Sequence, residues 1–133
     1  MSDTKDAEQL LYEAGLARRR EVLGDEWVDA TIEARTEFNA EFQEMITRTA
    51  WHEIWNRDGL DQKTRRLLTL SVTAALGRWE EFRLHAKSAL QSGSVNQKEL
   101  AESLMQLGVY AGVPAANTAF REAQKIITEL SDT

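Results

Sequence analysis

Residues 63–76 have the sequence KTRRLLTLSVTAAL, and from Leu67 onward nearly every side of this stretch is apolar or small. A helix that is apolar all round is buried inside a protein. Three cations, Lys63, Arg65 and Arg66, precede the apolar part. We therefore expect residues 63–76 to form the buried central helix of the fold.

The segments on both sides of this stretch also have helical periodicity. Apolar residues recur at spacings near 3.6 residues, and the chain contains seven glycines and a single proline. In a first predicted helix, from about Asp3 to Leu23, the apolar face consists of Leu10, Ala14 and Ala17. No segment has the alternation of a strand, so we predict an all-α fold of about six to seven helices.

Capping residues predict where several of these helices begin. Asp25 and Thr36 belong to the residue types that cap N-termini, and we expect them to begin the second and third helices. Asn96, followed by Glu99, predicts a capping box at the start of the sixth helix. Pro114 suits the first turn of the last helix.

The length and composition of the chain predict one domain. A chain of 133 residues with 42% hydrophobic residues can bury a core of its own. We expect a single domain over residues 1–133, with flexible termini at 1–4 and 131–133. The 22 acidic and 16 basic residues give a net charge of −6 without a separate basic cluster, so we expect neither nucleic acid nor a membrane as a partner.

The absence of cysteine restricts the chemistry. A chain without cysteine cannot form disulfides, thiolate nucleophiles or zinc–thiolate sites, which leaves histidine, carboxylate and hydroxyl groups. The first 15 residues, MSDTKDAEQLLYEAG, are polar and acidic rather than apolar. We therefore expect a cytoplasmic protein.

His85 is the first candidate for catalysis. It lies in GRWEEFRLHAKSAL, residues 77–90, at the edge of the stripe that begins with Phe82. Glu81 is one helical turn before it and can fix its tautomer or raise its pKa, while Arg78 is two turns before it. The alternative is a histidine that satisfies a helix–helix contact. Neither Glu81 with His85 nor His52 with Glu53 supplies three metal ligands, and we expect no metal site.

A second group of unusual residues lies in TAWHEIWNRDGLDQKTRR, residues 49–66. Trp51 and Trp55 share one helical face, and Arg65 and Arg66 follow. Tryptophans at this spacing pack in a core or line a pocket. Arginines close to them suit the binding of a small carboxylate.

Two further features have both structural and functional interpretations. The run ARRRE, residues 17–21, is typical of a solvated helix face, although one of its three arginines can turn inward. Asn117 follows Pro114 at a helix junction and is a candidate polar group in a cleft. The chain has no nucleophilic triad motif and no glycine-rich phosphate loop.

Three stretches together resemble the 4-carboxymuconolactone decarboxylases. They are YEAGLARRREVLGDEWVDA, EFQEMITRTAWHEIWNRDGLDQKTRRLLTLSVTAALGRWEEFRLH and QLGVYAGVPAANTAF, at residues 12–30, 41–85 and 106–120. Their order and spacing also fit that family, and the resemblance covers roughly residues 10–130. It implies an alkylhydroperoxidase D-like all-α fold, assembled as a homo-oligomer, commonly a hexamer, without a cofactor.

The redox branch of this superfamily carries a CxxC pair followed by a histidine. When His85 is set on that histidine, Arg78 and Glu81 stand where the cysteines would be. Arg66 falls near the position of the catalytic glutamate of the redox proteins. The resemblance therefore disfavours a thiol peroxidase and favours the decarboxylase branch.

The resemblance also implies the reaction. 4-Carboxymuconolactone would lose carbon dioxide to give 3-oxoadipate enol-lactone, a step of protocatechuate breakdown in the β-ketoadipate pathway. A divergent member that acts on another lactone or keto acid, or a non-catalytic oligomeric binding protein, remains an alternative.

Our hypothesis assigns a role to each candidate residue. His85 would deliver the proton or contact the oxyanion, with Glu81 orienting it and Glu80 as a substitute acid. Arg78 would bind a carboxylate together with one of the two arginines of the central helix. The remaining candidates would line the pocket: Trp51, Trp55 and Asn117.

Overall fold

The fold is described by a computed structural model that covers residues 2–132. These residues form seven α-helices and one π-helix, and none of them lies in a strand. The α-helices are α1 (Ser2–Leu23), α2 (Asp25–Glu33), α3 (Ala40–Ile46), α4 (Gln62–Leu76), α5 (Trp79–Ser92), α6 (Gln97–Ala111) and α7 (Val113–Ser131). The π-helix, Thr47–Ile54, follows α3 directly. The all-α prediction is confirmed.

The chain divides into two compact units between Leu60 and Asp61. The first unit contains α1, α2, α3 and the π-helix, and the second contains α4 to α7. Of the termini predicted to be flexible, residues 2–4 lie in the first turn of α1 and Ser131 ends α7. Met1 and Thr133 lie outside the described residues. Between residues 2 and 132, no helix has the length and hydropathy needed to cross a bilayer.

In the first unit, α1 packs closely against the π-helix, and the two backbones approach each other at Gly15. A Cβ atom at Gly15 would overlap the carbonyl oxygen of Thr47 and lie 3.2 Å from the amide nitrogen of His52. Both obstacles are backbone atoms, which cannot rotate away as a side chain can. The absence of a side chain at Gly15 therefore permits this contact.

In the second unit, α4 packs against α5, α6 and α7, so its central place in this unit agrees with the prediction. The burial of α4 differs from the prediction of a helix that is buried on all sides. Leu70 and Ala74 are buried, whereas Leu68, Val72 and Leu76 are each at least half exposed. The sequence is apolar on more than one face, but the helices of this unit cover only the face that contains Leu70 and Ala74.

Most of the predicted helix ends in the second unit are confirmed. The start of α4 near residue 62 agrees with the prediction; the structure adds that Asp61 caps it, because its carboxylate accepts a hydrogen bond of 2.7 Å from the amide of Thr64. Asn96 and Glu99 form both hydrogen bonds of a capping box at α6. Pro114 lies in the first turn of α7.

Two predicted caps in the first unit are wrong. Gly24 precedes α2, and Asp25 is the first helical residue, where its carboxylate contacts the guanidinium of Arg20 at 3.1 Å. Thr36 lies in a turn in which it exchanges hydrogen bonds with Asn39, and α3 begins only after Asn39. These side chains bind nearby polar groups that compete with the helix amides.

Candidate active site

His85 lies on the buried face of α5 in the second unit. Phe82, Ala86 and Ala89 share this face, and only 9% of the surface of His85 is exposed. The spacing of these residues places them on one side of the helix, toward the core of the unit. The histidine is therefore a polar side chain within an apolar face.

Arg66 belongs to the buried face of α4, which packs against α5. It is followed one and two turns later by Leu70 and Ala74, and only 1% of its surface is exposed. Arginine is almost never buried to this degree without a specific electrostatic or hydrogen-bonding environment. A permanent positive charge is thus held in the interior of the second unit.

Burial and this charge act on His85 in the same direction. Desolvation is the main cause that lowers the pKa of His85 to about 4, and the positive charge of Arg66 lowers it further. The carboxylate of Glu81 raises the pKa, but its effect is the smallest of the three. At neutral pH the imidazole is therefore uncharged, because burial and Arg66 outweigh the increase in pKa that the sequence predicted from Glu81.

The other predicted residues of this unit lie nearer its surface. Arg65 is half-buried, whereas Arg78, Glu80, Glu81 and Asn117 are exposed. Arg78 precedes the first turn of α5, and its backbone amide donates a hydrogen bond to the Thr73 carbonyl oxygen. Glu80 and Glu81 lie in that first turn, and Asn117 lies in α7. The structure thus brings Arg66 and Glu81 within electrostatic reach of His85.

The two predicted pocket tryptophans lie in the first unit, at the π-helix. Trp51 is buried and Trp55 is half-buried. Their rings stack with centroids 5.3 Å apart and planes inclined by 21°. The guanidinium carbon of Arg19 lies 6.0 Å from the ring centroid of Trp51, so one arginine of the ARRRE run does turn inward.

A hydrogen-bonded group that the sequence did not indicate surrounds His52. The Nε of Arg18 donates to Oδ1 of Asn56 at 2.7 Å, and the Nδ2 of Asn56 is 3.1 Å from Nδ1 of His52. Because arginine can only donate, the amide oxygen of Asn56 faces Arg18 and its NH₂ group faces the histidine. Nδ1 of His52 therefore accepts this hydrogen bond.

The spacing of His52 and Asn56 is visible in the sequence, but their setting in a π-helix is not. Short π-helical segments occur frequently at functional sites. The third member, Arg18, lies 38 residues before Asn56, and no local pattern connects them.

His85 is not among the lining residues of the cleft that lies in the second unit. In the second unit, a cleft of about 330 Å³ lies at the C-terminal end of α5, and Leu90, Gly93, Asn96 and Ile127 are among its lining residues. Residues 2–132 contain no group of three or more histidine, aspartate or glutamate side chains placed to hold a metal ion.

The chain is similar to decarboxylases of known name. Residues 40–125 match the family described as the carboxymuconolactone decarboxylase family. The chain is 41% identical over 119 residues to 4-carboxymuconolactone decarboxylase of Acinetobacter baylyi, which covers 90% of this chain and 88% of that protein. It is also 37% identical over 122 residues to nitrosuccinic acid decarboxylase npaB of Metarhizium robertsii, covering 92% and 85% of the two chains.

A shorter match has higher identity. Over 43 residues the chain is 56% identical to 4-carboxymuconolactone decarboxylase of Pseudomonas putida, which covers 32% of this chain and 90% of that sequence. The family match covers well over half of the chain, and the Acinetobacter protein aligns along nearly its whole length. The chain therefore belongs to the carboxymuconolactone decarboxylase family.

Proposed function

We propose that this protein removes carbon dioxide from 4-carboxymuconolactone to give 3-oxoadipate enol-lactone. The observation that carries the proposal is the 41% identity to a decarboxylase of that name across 90% of the chain. The Pseudomonas putida protein that is 56% identical over 43 residues has the same name. The reaction is also the one that the sequence resemblance predicts.

The substrate can accept the electrons of the broken bond by itself. When the bond between the ring carbon and its carboxylate breaks, the electron pair moves through the ring double bond into the lactone carbonyl. Carbon dioxide leaves, and a proton is then added to the ring carbon next to that carbonyl. The lactone is its own electron sink, so the proposal requires neither a metal nor an organic cofactor.

Arg66 suits the stabilisation of the negative charge in this reaction. Its charge is permanent, and its burial places it in surroundings where charges interact more strongly than in water. A positive group fixed in advance near the developing oxyanion lowers the energy of the transition state. We assign Arg66 to the oxyanion or to the carboxylate that remains, because a clamp on the departing carboxylate would favour the ground state.

His85 suits the transfer of the proton only when the substrate is bound. In the free protein its pKa of about 4 keeps the ring neutral, and it can then donate an N–H hydrogen bond. A dianion next to the ring favours the charged form and raises its pKa. The protonated ring then supplies the proton to carbon.

The remaining predicted residues keep their roles within the proposal. Arg65 and Arg78 would bind carboxylates, Glu81 would orient His85, and Glu80 would be a substitute acid. Asn117 would line the pocket. These assignments rest on the resemblance and on residue chemistry, and each one predicts a loss of kcat/KM on substitution.

The experiment that tests the proposal adds 4-carboxymuconolactone to purified, metal-free protein and follows ultraviolet absorbance together with carbon dioxide release. His85→Ala should lower kcat by on the order of 100-fold or more, as expected for a positioned acid. Arg83→Gln is the matched control, because Arg83 is also on α5 but pairs with Glu122 at the surface. Failure of the wild-type protein to consume the substrate would contradict the proposal, whereas normal turnover by folded His85→Ala would make His85 a packing residue.

Nitrosuccinate decarboxylation is the second candidate, because the Metarhizium robertsii protein that is 37% identical carries that name. Nitrosuccinate also has two carboxylates and its own electron sink, the nitro group. A cation and a neutral histidine can serve both substrates by the same steps. Measurement of kcat/KM for both compounds on one preparation decides between them.

We also propose that the protein is a single domain. It assembles as a homo-oligomer, a hexamer as the resemblance implies, and it is located in the cytoplasm. The family match spans residues 40–125 and so crosses the boundary between the two units. Leu68, Val72 and Leu76 form an exposed apolar stripe on α4, and such stripes mark protein interfaces. Light scattering should give the mass of a hexamer for the wild type and a smaller mass for Val72→Glu. Calorimetry should show one transition, and cell fractionation should place the protein in the cytosol.

A further inference from the structure

Arg19 is a buried arginine whose surroundings differ from those of its neighbours in the ARRRE run. Arg18 pairs with Glu21, and Arg20 pairs with both Asp25 and Asp29. Arg19 is only 6% exposed, and its guanidinium carbon lies 5.4 Å from the ring centroid of Trp27.

The Nε atom of Arg19 is buried and has no hydrogen-bond partner within residues 2–132. The NH1 group makes one long contact of 3.5 Å to Oε1 of Gln43. An unsatisfied buried donor costs free energy, and the cost is larger for a charged group. A negatively charged group that accepts hydrogen bonds would therefore satisfy the buried guanidinium of Arg19.

A small cavity of about 10 Å³ lies against Arg19 in the first unit. Two arginines and no acidic side chain are among its lining residues, which are Tyr12, Arg19, Thr31, Ile32, Arg35, Gln43 and Thr47. Burial is the main cause that lowers the pKa of Arg19; Tyr12 raises this pKa, and the charge of Arg35 lowers it by a smaller amount. Glu44 is 3.9 Å from Arg35 and offsets part of that second charge.

Several donors of this lining remain available to an anion. The hydroxyl groups of Thr31 and Thr47 donate to backbone carbonyls of their own helices. The Nε of Arg19, the guanidinium of Arg35 and the hydroxyl of Tyr12 then provide donors around the cavity. The lining contains two guanidinium groups and no carboxylate, and this charge suits an anion.

We propose that this cavity is a binding site for one chloride-sized monoanion, held by Arg19 and Arg35. A volume near 10 Å³ accommodates a single particle of about the size of water. This size excludes the carboxylated lactone, so the site is separate from the proposed reaction and does not depend on it. The anion would neutralise the buried guanidinium and connect α1, α2, α3 and the π-helix, which all contribute lining residues.

Thermal unfolding in chloride and in gluconate at equal ionic strength tests the binding. Gluconate is too large for the cavity and serves as the reference anion. Chloride at ten times its dissociation constant should raise Tm by about 5 °C, from ligand linkage and the average unfolding entropy of a chain of this length. Equal Tm values in the two salts would overturn the proposal.

Two variants and one control assign the effect to the cavity. Arg19→Gln should abolish the difference between chloride and gluconate, and Tyr12→Phe, a milder change, should reduce it. Arg20→Gln removes one charge from the neighbouring position, where the side chain does not line the cavity, and should leave the difference unchanged. Loss of the difference in Arg20→Gln as well would overturn the assignment to Arg19.

Diffraction from crystals grown in sodium bromide locates the anion directly. Bromide in the cavity should give an anomalous peak within hydrogen-bond distance of the Arg19 Nε atom. A water molecule there, without anomalous signal, would overturn the proposal even if chloride stabilised the protein. The result is independent of any decarboxylase assay.

Discussion

The low pKa of His85 predicts a specific loss of stability in mild acid. The folded protein holds this pKa at about 4, whereas an exposed histidine in the unfolded chain titrates near 6.5. The unfolded state therefore binds the proton first as the pH falls, and stability declines between pH 6.5 and pH 4. At pH 5.0 the two pKa values give a loss of about 2 kcal/mol relative to pH 7.5, and the full loss below pH 4 is about 3 kcal/mol.

Urea unfolding of the wild type and of His85→Gln at pH 7.5 and 5.0 measures this loss. Other groups titrate equally in both proteins, so the wild type should lose about 2 kcal/mol more than the variant over this range. NMR gives an independent check, because the chain has only two histidines and His52 supplies the second signal. The same loss of stability in both proteins, or a His85 midpoint near pH 6.5, would refute the burial argument.

Three further substitutions test separate parts of the structure. Arg66→Met should raise the pKa of His85, measured by the same NMR titration, because it removes a nearby positive charge. Gly15→Ala should destabilise the protein by about 2 kcal/mol or more in urea, since the added Cβ overlaps backbone atoms; Gly59→Ala, which meets no atom within 4 Å, is its control. Asn96→Ala should cost about 1 kcal/mol in the same assay by removing the α6 cap, and an unchanged midpoint would contradict the role of that capping box.

The helices of the second unit could be predicted because their signals are local. The cap of α6 depends on residues three apart, and Gly77 ends α4 with a φ of 71°, a conformation that favours glycine. The apolar positions of α5, α6 and α7 recur at helical spacing, and most of them form the core that contains Phe82 and Leu104. Periodicity within one helix was sufficient to identify this core.

The buried face of α1 could not be predicted in this way. Hydropathy indicated Leu10, Ala14 and Ala17, but Leu10 and Ala17 are exposed. The face that is buried includes Gly15 and Arg19. Gly15 is buried because the backbone of the π-helix comes close to it. Arg19 is buried because the rings of Trp27 and Trp51 flank its guanidinium. Both causes are tertiary contacts with residues far along the chain, and hydropathy of α1 alone contains no information about them.

The same distinction explains why the net shift of the His85 pKa could not be predicted from the sequence. Sequence spacing correctly placed Glu81 one turn away, but a carboxylate at an exposed helix end is screened by water and has little effect. Arg66 comes from another helix and is buried, as His85 is, so its charge is less screened.

The lowered pKa of His85 has a mechanistic consequence, because the free protein holds this histidine as a neutral base. In the proposed reaction, the negative charge of the substrate must therefore create the acid that protonates the product, and productive binding should take up a proton from solution. Proton uptake on addition of a non-reactive dicarboxylate, measured in weak buffer near pH 6, should occur in the wild type and be absent in His85→Gln.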